Sequence, residues 1–271
     1  MIDIRSLTGV DFETMTAAFN DAFSDYDIPA KYTTEYLTNL VTRRGYRADL
    51  AVGAFDGDRL VGFVFNCLDG DAAYNSGTGV VISHRRRGIA RQLMQRSIET
   101  LPATRYILEV IETNERAAAL YRELDFVETR RLQCWTYIAE RQPLAGWYAA
   151  GPAAGGPAGE AAGAPDWFDM EPSWQNSTAS IRRAREPFDI LGDDRGYVVV
   201  FPSNGDVPQL AVRRDVRRQG IGRSLLDAAA THVGKRLRIM NIDDRQPGIN
   251  EFLQHCGATR LVRQIEMVRS L

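Results

Sequence analysis

Apolar positions in the first half of the chain switch repeatedly between a period of two and a period near four, so strands and helices alternate. Ile2 and Ile4 alternate with polar residues and predict a strand. Thr8 then offers a helix N-cap with Asp11 three residues on, and Phe12, Met15, Phe19 and Phe23 follow at helical spacing. Tyr36, Leu37, Leu40 and Val41 form a second stripe that stops at Gly45. Leu50, Val52 and Ala54 alternate, Asp56 and Gly57 supply a tight turn, and 59–68 runs apolar, which predicts a β-hairpin. A strand at 73–82 leads to a helix carrying Ala90, Leu93, Met94, Ser97, Ile98 and Leu101. A short strand at 106–111 follows. Asn114 then caps a helix with Ala117, Leu120, Tyr121 and Leu124 on one face, and a long strand at 126–138 ends the unit.

Residues 149–165 are Ala, Gly or Pro except for Glu160. Such a stretch breaks helices and has nothing large to bury, so it reads as a linker. As a coil it would span roughly 21–25 Å. The expected domains are therefore 1–148 and 166–271. They are related: RRRGIARQL from Arg85 and RRQGIGRSL from Arg217 lie 132 positions apart, Gly88 matching Gly220. The offset continues without a gap to the C-terminus, setting TRYILEVI over RLRIMNID. The second half reads as a shortened copy of the first, its early elements reduced or lost.

Composition excludes several function classes. The chain has 271 residues, 33 basic and 35 acidic side chains and a net charge of −2, so no electrostatic footprint for nucleic acid exists. No apolar run approaches the ~18 residues of a membrane span. No secretory signal is visible, and the expected location is the cytoplasm. Cys67, Cys134 and Cys256 are odd in number and widely spaced, and His84, His232 and His255 show no paired ligand spacing. Neither a disulfide framework nor a metal site is expected.

The repeated segment is strand, turn, helix, with basic and small residues where the helix begins. A helix start offers unsatisfied N–H groups and partial positive charge, small residues let a phosphate approach the backbone, and arginine supplies forked donors. Each copy is a candidate diphosphate cradle, against the plainer alternative of an exposed basic helix start that binds nothing. A Walker A loop is excluded because neither copy has its lysine, and a dinucleotide fingerprint because Leu93 and Leu225 stand where its third glycine belongs.

The cradle in both copies, Arg85-Arg86-Arg87-Gly88-Ile89-Ala90 and Arg217-Arg218-Gln219-Gly220-Ile221-Gly222, resembles the coenzyme A signature of the GCN5-related N-acetyltransferases (GNAT). LEVIETNERAAALYRELDF, from Leu108 to Phe126, is similar to a second motif of that family, with Asp125 in place of its usual Gly. The resemblance implies an α/β fold of two GNAT-like domains, each a twisted mixed sheet flanked by helices. It implies two central parallel strands that splay to admit the thioester of acetyl-CoA. It further implies that the backbone of Thr78, Gly79 and Val80 pairs with the pantetheine arm and that Asn114 helps hold the cofactor. The reaction implied is acetyl transfer to a primary amine, on a small molecule or a peptide, by direct attack, in a monomer or homodimer. Tandem architecture also occurs in mycothiol synthase, which places its chemistry in the second domain.

Tyr121 matches the family's general acid; a phenol near pKa 10 can protonate a leaving thiolate at neutral pH. Alternatively it only packs beside Leu120 and Leu124. Glu109 points the same way as Ile107 and Ile111, where a carboxylate needs a partner or a task; it is either a general base or the partner of a nearby arginine. Asn114 is also a good N-cap. Cys67, after Phe63 and Phe65, reads as a buried inert thiol. In the second copy Glu109 becomes Asn241, Asn114 becomes Gln246 and Tyr121 becomes Leu253, so that copy is expected to be catalytically silent. Asp21, Asp25, Tyr26 and Asp27 either draw a cationic acceptor or are solvated loop acids. Trp147 and Tyr148 are either a docking patch or the last contacts before the linker. A coenzyme A-binding module without catalysis is the remaining alternative.

Overall fold

The computed structural model describes residues 1–25, 31–139, 149–150 and 167–271. In chain order these form β1 (Ile2–Ser6), α1 (Phe12–Ala22), α2 (Thr34–Arg43), β2 (Val52–Asp56), β3 (Arg59–Asp69), β4 (Ala72–Val80), α3 (Ile89–Thr100), β5 (Arg105–Ile111), α4 (Glu115–Glu123) and β6 (Val127–Tyr137). After the two-residue β7 (Ala149–Ala150) come α5 (Thr178–Arg183), β8 (Asp189–Asp193), β9 (Gly196–Phe201), β10 (Asp206–Val212), α6 (Ile221–Val233), β11 (Leu237–Asp243), α7 (Pro247–His255) and β12 (Thr259–Ser270).

Element type and order follow the sequence pattern, and the ends shift for local reasons. Thr8 does not cap α1. The chain turns at Gly9, with φ 82°, and the Asp11 side chain accepts the Thr14 N–H at 2.7 Å, so the helix starts at Phe12. In the hairpin Asp56 pairs with Arg59, which makes Gly57–Asp58 the two-residue loop, with φ 60° at Gly57. The first residues of the Ala/Gly/Pro stretch are not coil: Ala149 and Ala150 pair with Leu191 and Ile190. Among the described residues, the second copy has the one-and-a-half-turn α5 before β8.

Two compact units emerge, Met1–Thr129 with Glu266–Leu271, and Arg130–Ile265. The division falls inside β6, before the Ala/Gly/Pro stretch, and again inside β12, after it. The first unit has the strand order β1-β2-β3-β4-β5, with the end of β12 alongside β5. Its sheet is mixed: β1 to β4 are antiparallel neighbours and β4 and β5 run parallel. Helix α3 packs against β2, β3 and β4, and α1 against β3 and β4. The core holds Phe63, Phe65, Leu93, Met94 and Tyr106, all essentially without exposure. The second unit has the order β6-β11-β10-β9-β8-β7, and its core gathers Trp135, Tyr137, Val198, Leu225, Leu237 and Leu253.

The two terminal strands have therefore traded places. β6, from the first copy, runs antiparallel beside β11, and its Tyr137 hydroxyl donates to the buried Asp227 carboxylate. The C-terminal residues, from the second copy, complete the first unit: Thr129 Oγ1 donates to Glu266 at 2.8 Å, and Arg269 reaches the Leu124 carbonyl and Asp125. Asp125 itself takes the left-handed φ of 60° that Gly257 takes at the same offset with 87°. An aspartate tolerates this better than most residues, so the helix end keeps its geometry without glycine.

Met267 is fully buried in the first unit although it lies 138 residues beyond Thr129 in the chain. Met267→Ala should destabilise that unit by about 2–5 kcal/mol, the usual cost of truncating a buried methionine. Urea unfolding followed by fluorescence would measure it, and a loss below about 1 kcal/mol would show that the first unit stands without this strand.

Candidate active site

Strands β4 and β5 are in register over four pairs, from Ala72↔Arg105 to Asn75↔Leu108, and pair no further. β4 continues to Val80 and β5 to Ile111 as separate strands. A bulge in β4 marks the parting: Val64 faces Thr78 and Asn66 faces Asn75, so β4 holds one extra residue. The Asn75 side chain accepts the Gly77 N–H at 3.0 Å and donates to Thr78 Oγ1 at 2.7 Å, fixing the bulge. Beyond it, Val81 N–H bonds to Val61. Antiparallel alternation then turns the peptide groups of Gly79 toward β3 and those of Thr78 and Val80 toward the opening. Of the three expected backbone contacts, Gly79 has a packing role instead: a Cβ there would meet the Phe63 ring at 2.5 Å and Ala22 at 3.0 Å.

The expected cradle closes the wide end of this opening. Arg86 and Gly88 both take left-handed φ, 63° and 74°, before α3 begins at Ile89. Alternating hands of this kind turn successive N–H groups inward into an anion-binding concavity. α1, α2, α4 and α5 are capped by the side chains of Asp11, Thr33, Asn114 and Ser177, whereas the N-cap of α3 is Gly88 and provides no side chain. Arg86, Arg87 and Gly88 are exposed there, Ala90 is half-buried, and the buried Ile89 anchors the turn in the core. These groups fit a diphosphate.

Arg85 does something else. Its guanidinium holds Asp25 through two bonds of 2.6 and 2.9 Å, the Ala22 carbonyl at 2.7 Å, and the Val80 carbonyl at 3.3 Å. It ties the C-terminal end of α1, where a cation is favoured, to the turn before the cradle. Arg217 repeats the arrangement with Asp169, the Trp167 carbonyl and the Val212 carbonyl. Asp25 is thus committed to Arg85, whose hydrogen bond holds its carboxyl below the ordinary value. Asp21 accepts the Ile82 N–H at 3.2 Å and lies 3.5 Å from Arg59. These two acids serve the fold; Tyr26, Asp27, Trp147 and Tyr148 lie outside the described residues. His84, 3.2 Å from Asp56, likewise fastens the hairpin turn to the segment before the cradle.

Glu109 is the first residue of β5 past the last pair, and its face, with Ile107 and Ile111, is half-buried; the buried face carries Tyr106, Leu108 and Val110. Its partner is Tyr74 on β4, diagonal to it in the register, whose hydroxyl donates to Glu109 Oε2. Burial, and then the Glu109 charge, hold the Tyr74 phenol well above its ordinary pKa. Arg44, the residue closing α2, bonds to Ser76 Oγ at 3.1 Å and to its carbonyl at 3.3 Å. Burial works against the Arg44 charge, and the acidic groups around it, Glu109 among them, more than offset it, so that its pKa is raised. Sequence reasoning missed both Tyr74 and Arg44. The traceable signal was Arg44 sitting at the end of an amphipathic stripe.

Asn114 caps α4 by accepting the Ala117 N–H at 3.1 Å. Tyr121, on the same helix, is 7 % exposed, and its ring lies 5.9 Å from that of Phe126. Cys67 is fully buried beside Tyr74 in the ladder, as an inert thiol should be. Among the described residues no group of His, Cys, Asp or Glu could hold a metal ion, and no helix is long and apolar enough to cross a membrane.

The second copy keeps the frame and changes its contents. Arg218 and Gly220 take the same left-handed φ, 64° and 83°. β10 and β11 part after a single pair, Asp206↔Arg238. Asn241, however, sits in a kink of β11 with φ 58°, fully buried, and accepts from the Cys134 thiol. Leu253 is wholly in the core, and Gln246 makes no side-chain cap. The Phe252 ring lies against Gly222, 3.1 Å from where a Cβ would stand.

Residues 12–126 match the model of the acetyltransferase (GNAT) family. Among solved structures, the fold is similar to a GCN5-related N-acetyltransferase from Sphaerobacter thermophilus, with 16% identity, TM-score 0.72, and coverage of 99% of this chain and 95% of that one. It is also similar to a tandem GNAT protein from the clavulanic acid biosynthesis pathway, with 14% identity, TM-score 0.74, and coverage of 100% and 98%. No curated protein matches the sequence significantly.

Two measurements test this construction. Gly79→Ala should cost about 1–3 kcal/mol in urea unfolding by overpacking against Phe63; unchanged stability would mean that β4 has room to shift. The depressed Asp25 carboxyl stabilises the fold above its ordinary value of 3.8, a contribution lost as pH falls through the folded value. Wild type should therefore exceed Asp25→Asn in thermal stability at pH 6, and the gap should close as pH drops below 3.8. A gap independent of pH would remove the Arg85 pair as its source.

Proposed function

We propose that the first copy, whose residues 12–126 match the acetyltransferase (GNAT) family model within a chain similar in fold to a tandem GNAT protein, is an acetyl-CoA-dependent N-acetyltransferase acting on a primary amine. The observation that supports this most is the opening between β4 and β5 with an uncapped helix start and a left-handed turn at its mouth. Acetyl-CoA would supply an acetyl thioester, an acyl group already activated toward an amine.

The backbone N–H groups from Gly88 to Ala90 and the side chains of Arg86 and Arg87 bind the diphosphate. Thr78, through its N–H and carbonyl, and Val80, through its N–H, offer the outward edge of β4 to an extended arm, which adds to the sheet like a strand. Asn114 fixes the start of α4 and so the position of Tyr121. Tyr121 keeps its proton at neutral pH and donates it from Oη to the departing sulfur. Glu109 takes the proton from the incoming ammonium through its carboxylate, directly or through one water. The acceptor approaches past Phe19 and Tyr32, whose rings stack at 4.9 Å beside the bulge at Gly77. Small amines and peptide N-termini both suit an aromatic approach of this kind.

The second copy serves as a scaffold in this reading. Leu253 carries no proton to give, Asn241 is no base, and Phe252 covers the first turn of α6. A mycothiol-synthase-like assignment, with its chemistry in the second domain, has no phenol to use there.

The full chain, acetyl-CoA and a panel of amines, peptides and aminoglycosides, read by released thiol, test the reading. Tyr121→Phe should lower kcat by about 10²–10⁴ with acetyl-CoA affinity unchanged by calorimetry. Undiminished turnover would remove Tyr121 from the mechanism. Absence of both acetyl-CoA binding and amine-dependent thiol release would sink the proposal.

A further inference from the structure

At the point where β4 and β5 part, three groups from three elements converge: Glu109 on β5, Tyr74 on β4 and Arg44 at the end of α2. We propose that Tyr74 and Arg44 are positioning residues that set the orientation and the basicity of Glu109, which rests on Glu109 being the base of the proposed acetyl transfer.

Tyr74 is 2 % exposed and its hydroxyl donates to Glu109 Oε2, which fixes the carboxylate rotamer. The phenol remains protonated across the physiological range, so it acts only as a donor. Arg44 is held by Ser76, within the β4 bulge, and the titratable groups around it are Tyr74 on β4, Glu109 on β5, Tyr32 before α2 and Cys67 on β3, of which Glu109 is the carboxylate. A hydrogen bond to a carboxylate and a cation near it both favour the charged form. Together they keep Glu109 ionised, ready to receive a proton, where half-burial alone would favour the acid.

At the offset of 132, Tyr74 becomes Asp206 and Glu109 becomes Asn241 in the second copy, where Asn176, before α5, lies beside the parting strands. Asn176 bridges the two parting strands with neutral bonds: its carbonyl accepts from Gln209 of β10 at 3.0 Å, and its amide donates to the Met240 carbonyl of β11 at 2.7 Å. Asp206, buried at the one pair before the strands part, is held by Arg238, whose Nε donates to its Oδ1 at 2.8 Å, so the charge in the second copy is spent on an ion pair between the two strands. Tyr74 and Glu109 change together in the copy that also lacks Tyr121.

The test follows the carboxyl of Glu109 directly. In full-length protein labelled with ¹³C at glutamate Cδ, the Glu109 signal is identified by its loss in Glu109→Gln. Tyr74→Phe should raise its titration midpoint by about one pH unit and Arg44→Gln by about one to three, while Arg44→Lys returns it toward wild type. The acid limb of kcat/KM against pH should move by the same amounts, and Tyr74→Phe should add nothing in a Glu109→Gln background. Retained acetyl-CoA affinity identifies variants with an intact fold. Midpoints unmoved in both Tyr74→Phe and Arg44→Gln would overturn the inference. If Tyr74→Phe unfolds, the Arg44 pair decides alone. A wild type without thiol release would instead sink the acetyl-transfer reading, since the carboxyl titration is read without any turnover.

Discussion

The parting of β4 from β5 is the constraint around which the first unit is built. Peptide groups released from a sheet ladder must find other partners or face a solute. Here a bulge takes up one extra residue, Asn75 satisfies Gly77, Arg85 takes the Val80 carbonyl and Arg44 takes that of Ser76. The outward N–H and carbonyl of Thr78 and the N–H of Val80 are what remains. Every residue discussed as part of the site either holds this opening or borders it, which is why site and fold cannot be separated at Gly79 or Ser76.

The two copies show how one frame can be given different contents. The turn, its two left-handed residues and the arginine anchor recur at identical offset, with Arg85 and Arg217 making the same three kinds of bond. A non-glycine residue in the left-handed region costs roughly a kilocalorie per mole or two, so its recurrence at Arg86 and Arg218 marks a geometry the turn requires. Within that frame, the first copy places a carboxylate, a phenol and a guanidinium at the strand parting, and the second places the amides of Asn176 and Asn241 beside an Asp206–Arg238 ion pair.

The exchange of terminal strands changes how the chain is divided. Neither half of the sequence contains all the strands of one compact unit, because β6 serves beside β11 and the last residues of β12 beside β5. Burial of Met267 and Tyr137 therefore depends on residues far away in the chain. Antiparallel pairing is decided by which edge is available and which side chains it buries, and period-two patterns in β6 and β12 are equally compatible with either edge.

Much of this was written in local patterns. Helices and strands follow from apolar spacing, the Asn114 cap from its residue type, the cradle from small and basic residues at a helix start, and the tandem organisation from the repeat. Those features involve neighbours within a few residues, so one-dimensional order carries them. Whether Arg85 grips a ligand or Asp25, whether Thr8 or Asp11 caps α1, and which group meets Glu109 depended on folding. Arg44 and Tyr74 are 65 and 35 positions from Glu109. Only the packing of α2 against the strands brings them together, because ion pairs and hydrogen bonds act over a few ångströms of space and are blind to separation along the chain.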